Sequence, residues 1–345
     1  MNRSSSLLLA AVASIALVLW IGLLRNSADT SGLTTHQLRS LQSLEKVSDH
    51  PLYVMRYYAP TDSDISPAVS VERTEKSKWA CSLFAAVGDG SEPVYGRNLD
   101  WPRHPVLVLI AEPPDAYASI TMVDLSFILP IEFTHTLDQL PIAERAFLLQ
   151  TPQWTFDGMN DQGVAIGMAA VADSVVPSDP ALETVGSLQI MRRVLDRAAS
   201  VEEALEILEQ VNVDMQGGPC VHYLIADKDD HAVLVEYWDG EMTVLHADEP
   251  WLWATNYHLC RVEESDRPGL CWRYDLIGER LRDSSGILTR RDAMSLLESV
   301  SWQSSNGSSH GTQWSIVYDM KARSASLVMG RKYDEVITFD LFGSN

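Results

Sequence analysis

The sequence is poor in cysteine and in positive charge, and each shortage excludes something. Four cysteines in 345 residues, with neither a C-x-x-C nor an H-E-x-x-H spacing, supply no ligand set for a structural or catalytic zinc ion. Lys and Arg number 26 against 47 Asp and Glu, a net charge of −21 spread along the chain rather than gathered in blocks. Such a surface repels nucleic acid, and no basic stripe offsets it. A glycine-rich phosphate loop is also missing, since Gly217-Gly218-Pro219 leads into a strand-like run and Pro219 is wrong for a helix start there. There is no internal repeat and no low-complexity tract. Nothing in this inventory calls for a cofactor.

One long apolar run is present. Residues 7–24 (LLLAAVASIALVLWIGLL) come after Arg3 and a serine run, at the lower limit for a membrane span and longer than a usual signal-peptide core. Residues 1–26 therefore read as a signal peptide or N-terminal anchor that exports the rest of the chain, giving an extracytoplasmic protein, secreted or tethered through 7–24. Arg3 against Arg25 and Arg39 is too balanced to set orientation by charge. Residues 27–80 read as a polar pro-segment or spacer, with one helical pattern (Leu38, Leu41, Leu44) and one strand-like patch (Leu52-Tyr53-Val54-Met55). Residues 81–345 read as the folded domain.

From Cys81 onward the texture is of short strands, at 81–87, 94–99, 105–111 and 117–124, with Gly88-Asp89-Gly90 as the first hairpin turn. A turn at Asn160-Asp161-Gln162-Gly163 leads into Val164-Ala165-Ile166. Two helices come next, the second opened by Ser200-Val201-Glu202-Glu203, a capping box. Strands are expected at 220–227, 232–238 and 242–246, helices at 271–282 and after Thr289-Arg290-Arg291-Asp292, and three closing strands from about 314. Hairpin strands on either side of a helical block predict an α+β fold with antiparallel sheets covered by helices.

The chemistry centres on Cys81. Sixteen residues later comes Gly96-Arg97-Asn98-Leu99-Asp100, so the next strand delivers an Arg and an Asp to the cysteine. A lone strand cysteine is by default a small buried hydrophobe. If the Ala80–Cys81 bond is cut, however, Cys81 holds both a thiol and an α-amine. With reference pKa values of about 8.5 and about 7.7–8.0, proton transfer between them is nearly balanced.

These residues resemble the choloylglycine hydrolase and penicillin V acylase group of N-terminal-nucleophile hydrolases. The Cys81-to-Arg97 and Cys81-to-Asp100 spacings match. Phe156-Asp157-Gly158-Met159-Asn160-Asp161-Gln162-Gly163-Val164 resembles the group's D-G-M-N-E-x-G-L turn, Ala254-Thr255-Asn256 its oxyanion T-N, and Thr312-Gln313-Trp314-Ser315 its closing strand. The spacer before the cysteine is similar to the self-cleaving branch that includes acid ceramidase-type amidases and the acyl-coenzyme A:6-aminopenicillanic acid acyltransferase. The resemblance implies a four-layer αββα fold and a linear amide C-N hydrolase taking a small-molecule N-acyl amide. It also implies roles. Cys81 would be the nucleophile, Arg97 a cation lowering the thiol pKa, Asp100 the acceptor that holds the α-amine, and Asn256 the oxyanion donor.

Two positions depart from the group's pattern. A second oxyanion asparagine is expected seven residues after Gly163, where the chain has Ala170, whose backbone N–H alone could serve. A second arginine has no clear counterpart, and Arg273 and Arg280 stand as unsupported candidates. Bile salts are therefore a poor substrate match. Asn160 reads as a turn builder, His222 and His258 as core residues, and Trp101 and Trp154 as candidate pocket walls or plain core. Transfer of the acyl group to an amine is the nearest alternative activity, and a membrane-tethered binding protein with an inert Cys81 is the alternative of another class. Oligomeric state and the pairing of Cys260 with Cys271 are not set by the sequence.

Overall fold

The computed structural model describes residues 30–61, 80–88, 92–129, 136–216, 218–304 and 310–343. The apolar run 7–24, residues 62–79 of the spacer and the turn residues Asp89 and Gly90 lie outside the described residues. Among the described residues no helix is long and apolar enough to cross a membrane.

The chain enters through α1 (Thr35–Gln42), β1 (Glu45–Ser48) and β2 (Leu52–Tyr57), then β3 (Ala80–Ala86) and β4 (Val94–Pro102). Strands β5 (Val106–Ala111), β6 (Ser119–Asp124), β7 (Thr155–Asn160) and β8 (Ala165–Val171) come after them, then β9 (Glu183–Gly186), α2 (Gln189–Arg197), α3 (Val201–Glu209) and β10 (Val211–Asp214). Next are β11 (Cys220–Ala226), β12 (Ala232–Trp238), β13 (Glu241–His246) and β14 (Trp251–Ala254). Helices α4 (Trp272–Asp283) and α5 (Arg290–Ser299) precede β15 (His310–Asp319), β16 (Ser324–Met329) and β17 (Ile337–Asp340).

Two sheets stack face to face. One has nine strands in the order β1-β2-β5-β6-β7-β8-β11-β12-β13, and the other six in the order β14-β3-β4-β15-β16-β17. The six-stranded sheet is antiparallel throughout, and the larger sheet has one parallel pairing, β2 with β5. The central strands of both are buried on both faces, because helices cover what the other sheet does not. Helices α4 and α5 lay Ile277, Leu281, Ala293 and Leu297 on Phe84, Ala86, Val94 and Val317 of the small sheet. On the far side of the large sheet, α2 brings Leu195 against Gly158 and Thr121, and α1 with the 3₁₀ stretch Ile142–Trp154 packs Leu41 and Leu148 on Tyr53, Met55 and Leu109. The architecture is four-layered, αββα. The two sheets meet closely at Gly167, where a Cβ would lie 2.7 Å from Tyr95 Oη and 2.9 Å from Leu83 Cδ2.

The caps read from sequence are in place. Ser200 Oγ accepts from Glu203 N at 3.3 Å, while the Glu203 carboxylate reaches back to Ala199 N rather than to Ser200. Thr289 and Asp292 form the reciprocal capping box of α5. Within residues 27–80 the helical pattern at Leu38 and Leu41 forms α1 and the strand-like patch Leu52-Tyr53-Val54-Met55 forms β2, with Leu41, Tyr53, Met55 and Tyr57 buried and β2 extending the larger sheet. Alternating apolar side chains too few to make a domain alone become a strand once a sheet edge accepts them.

Candidate active site

Cys81 lies at the start of β3, paired with Leu99 of β4, while Ala80 faces Asp100 and Leu83 faces Arg97. Strand alternation divides the site. Cys81, Leu83, Arg97 and Leu99 point between the sheets, and Ser82, Asn98 and Asp100 point towards α4 and α5. Cys81 is fully buried, and burial pushes its thiol up, with Arg97 pulling the other way from Nη2 at 3.8 Å. The expected lowering by Arg97 is present but outweighed: the cost of burying a thiolate exceeds what one cation returns.

Arg97 is itself completely buried and spans the gap between the sheets. Nη1 donates to the Phe156 carbonyl at 3.0 Å and pairs with the Asp157 carboxylate; Nη2 donates to the Met168 carbonyl at 3.1 Å. Asp157 also accepts from Tyr318 Oη at 2.6 Å and Trp314 Nε1 at 3.1 Å. Both charges thus have partners, which a buried pair requires. Sequence reasoning missed the role of Asp157, although the residue sits inside the matched turn motif. In the same turn Asn160 Oδ1 accepts from Gln162 N and Val164 N, and Gly163 holds φ of 86°, so Asn160 builds the turn.

On the other face Asp100 meets two donors, Thr312 Oγ1 at 2.5 Å and Arg273 Nη1 at 3.4 Å. Burial raises its carboxyl to about 6 against the opposing pull of Arg273 and Thr312. A bulge makes this possible. Thr312 pairs with Asp100 and Trp314 with Leu99, leaving Gln313 as the extra residue. Without it, Thr312 and Trp314 would share one face; with it, Thr312 reaches Asp100 and Trp314 reaches Asp157.

Arg273, in the first turn of α4, ties the site together. It donates to the Cys81 carbonyl at 2.5 Å, Ser82 Oγ at 3.1 Å and Asn256 Oδ1 at 3.0 Å, besides Asp100. Arg280, two turns further along the helix, lines a separate hollow with Asp283 and Asp292. Asn256, just past β14, accepts from Cys81 N at 2.7 Å through Oδ1 and donates from Nδ2 to the Ala170 carbonyl at 2.8 Å. Three partners of known polarity fix its amide orientation. In this uncut chain the Cys81 nitrogen therefore faces Asn256, where the sequence suggested Asp100, and Ala170 contributes its carbonyl, where a backbone N–H was expected.

Beside Asn256 opens a cleft of about 500 Å³ lined by Ala172, Tyr257, Arg261, Val262, Leu270 and Arg273, among others. Neither tryptophan expected as a wall lines it: Trp101 is in the inter-sheet core and Trp154 packs on Phe127 at 5.8 Å. All four cysteines, Cys260 and Cys271 included, are free thiols. Among the described residues two clusters bring metal-ligating side chains within 4.8 Å of one another, Glu236 with His258 and Cys260, and Glu202 with Asp227 and His231. In the first, the Glu236 oxygens already meet His222 Nδ1 and accept from the amides of Leu259 and Cys260.

The model of the linear amide C-N hydrolases, choloylglycine hydrolase family, matches residues 81–256, which hold Cys81, Arg97, Asp100, Ala170 and Asn256. No curated protein sequence matches the chain. Among solved structures, penicillin V acylase from Agrobacterium tumefaciens superposes with a TM-score of 0.53 at 17% identity, covering 75% of this chain and 86% of that one. A variant of the conjugated bile acid hydrolase from Clostridium perfringens superposes at 0.50 with 14% identity, covering 77% and 95%. At these identities the likeness is one of fold.

Proposed function

The chain belongs to the choloylglycine hydrolase family of linear amide C-N hydrolases, and on that premise we propose that Cys81 is its N-terminal nucleophile, exposed by self-cleavage of the Ala80–Cys81 bond. The fold is that of the N-terminal-nucleophile hydrolases, and the substrate is a small-molecule linear amide. The observation that carries the proposal is the convergence of Arg97, Asn256 and Arg273 on the Sγ, N and O atoms of Cys81 from three separate elements.

The thiol attacks the amide carbonyl and its proton passes to the Cys81 α-amine, giving a tetrahedral adduct. Collapse to the thioester expels the amine, which takes that proton; water then releases the acid and regenerates the thiol. Arg97 faces the sulfur and stabilises thiolate. Asn256 Oδ1 holds the α-amine, and the Nδ2 hydrogen not used by Ala170 is available to the oxyanion. Asp100 lies opposite Ala80, so removal of Ala80 leaves its carboxylate beside the new amine. Arg273 keeps Asp100, Asn256 and the Cys81 carbonyl in one frame. Ala172, Tyr257, Val262 and Leu270 give the cleft an apolar side suited to an acyl group. Transfer to an amine would use the same thioester, and added hydroxylamine separates the two outcomes by forming an acyl hydroxamate. The apolar run 7–24 supports an extracytoplasmic site of action.

Terminal sequencing tests the proposal. The active protein should yield a chain beginning Cys81-Ser82-Leu83, and Cys81→Ala should stay uncut and inactive. A fully active enzyme with an intact Ala80–Cys81 bond sinks it.

A further inference from the structure

His222 of β11 and Glu236 of β12 are fully buried and are not among the residues that line the cleft. Their contacts all go to the segment that carries Asn256. His222 Nε2 lies 2.8 Å from the Thr255 carbonyl, and His222 Nδ1 lies 2.8 Å from Glu236 Oε1. Glu236 in turn accepts from Leu259 N at 3.0 Å and Cys260 N at 2.7 Å. One residue before Asn256 and three to four after it, the backbone is thus tied to a single side-chain pair.

A carbonyl can only accept, so Nε2 carries a hydrogen. The Glu236 oxygens accept two backbone amides and also meet His222 Nδ1. His222 and Glu236 form a buried hydrogen-bonded pair. Burial pushes the Glu236 carboxyl up, but the hydrogen bonds from His222 and His258 bring it below the usual range. The pair also joins the two sheets. It stands on the nine-stranded sheet, whereas the Asn256 segment leaves the edge of the six-stranded one at β14. The Asn256 side chain adds one cross-sheet contact of its own, Nδ2 to the Ala170 carbonyl of β8, while its Oδ1 meets Cys81 N and Arg273.

We propose that His222 and Glu236 are positioning residues for the amide reaction, which set the place of the Asn256 side chain against Cys81 by clamping the backbone on both sides of it. The inference rests on the reading of Asn256 as a transition-state donor. Donors of this kind are worth about 10²–10³ in turnover, and misplacement by a fraction of an ångström forfeits part of that.

The test is a double-mutant cycle of Glu236→Gln with Asn256→Ala in protein expressed from the whole chain, with kcat referred to the fraction cut at Ala80–Cys81. The probe is the N-acyl 4-nitroanilide, from acetyl to palmitoyl, that the parent turns over fastest. Alkylation of Cys81 by iodoacetamide, which forms no oxyanion, is measured on the same samples. Glu236→Gln should lower kcat by about 10–100-fold with KM changed by less than about threefold, and alkylation should be unchanged. In the Asn256→Ala background the same substitution should have no further effect on kcat. If Glu236→Gln fails to melt cooperatively, His222→Gln, which keeps a donor for Thr255, goes through the same cycle. Effects that multiply, a change in KM alone, or parallel loss of alkylation would overturn the positioning role while leaving Asn256 in place. Unchanged kcat in Asn256→Ala alone would remove the reading of Asn256, and this inference with it.

Discussion

The two faces of the β3–β4 hairpin are made from alternate residues of the same strands, yet they are stabilised differently. The outer face is apolar for most of its length. Phe84, Ala86 and Val94 pack against α4 and α5, and the Phe84 ring lies over Gly96, its partner across the ladder. The inner face carries a fully buried cation, Arg97, held by a carboxylate and two carbonyls of the opposite sheet. Only at the hairpin's end does the outer face become polar, with Ser82, Asp100 and Arg273. Strand alternation would otherwise keep Cys81 Sγ and Asp100 apart, on opposite faces. Placing the cysteine at the strand's first residues lets its nitrogen and carbonyl reach the groups that its side chain cannot.

Breaking the inner face should cost most. Asp157→Ala leaves Arg97 buried without its counter-charge and should destabilise the fold by about 3–5 kcal/mol, read by urea unfolding. A loss below about 1 kcal/mol would mean that the carbonyls alone satisfy Arg97. Next is the polar end of the outer face. The Asp100 carboxyl is raised from 3.8 to about 6, so the native state binds a proton more readily than the unfolded chain. Its stabilising contribution is complete below about pH 4 and is lost as pH rises through about 6. In the uncut Cys81→Ala background, the protein with Asp100 should therefore lose on the order of 2–3 kcal/mol between pH 4 and pH 7 relative to the same protein with Asp100→Asn. Equal pH profiles for the two proteins would refute the raised value.

The apolar part of the outer face should respond less. A Cβ on Gly96 would collide with Phe84 Cζ, and Gly96→Ala should cost about 1–3 kcal/mol through overpacking. Pairing it with Phe84→Leu should recover part of that loss, and no recovery would place the strain elsewhere. Smallest is Thr312→Val, which removes the hydrogen bond to Asp100 and the one that Thr312 Oγ1 accepts from Trp302 N, at a cost of about 1–2 kcal/mol. Because the bond to Asp100 favours the carboxylate, the Asp100 transition in the stability profile should move to higher pH; a downward move would contradict the contact.

Much of this is legible in the chain itself. The Cys81, Arg97 and Asp100 spacing, the Asn160 turn and the caps at Ser200 and Thr289 depend on residues close in sequence, where spacing and side-chain chemistry act directly. Arg273 carries no such signal, because an arginine early in a helix has no pattern of its own. Its importance comes from α4 crossing the end of β3. The Gln313 bulge leaves no mark in composition or period, although it decides which partner Thr312 and Trp314 meet.

The sequence by itself determined many of the strands and helices, the nucleophile candidate and the spacing that sets Arg97 and Asp100 on the next strand, since these arise from local spacing. Only the tertiary structure decided which atoms they face. It placed Asn256 at the Cys81 nitrogen, turned Ala170 into a carbonyl acceptor, matched Arg97 with Asp157 and packed residues 35–57 onto the larger sheet. It also reversed the direction of the Cys81 thiol. The physical reason is common to all of these. Burial and partner geometry are properties of how distant segments stack, and the energy of a charge or an amide inside a protein depends on that surrounding more than on its neighbours along the chain.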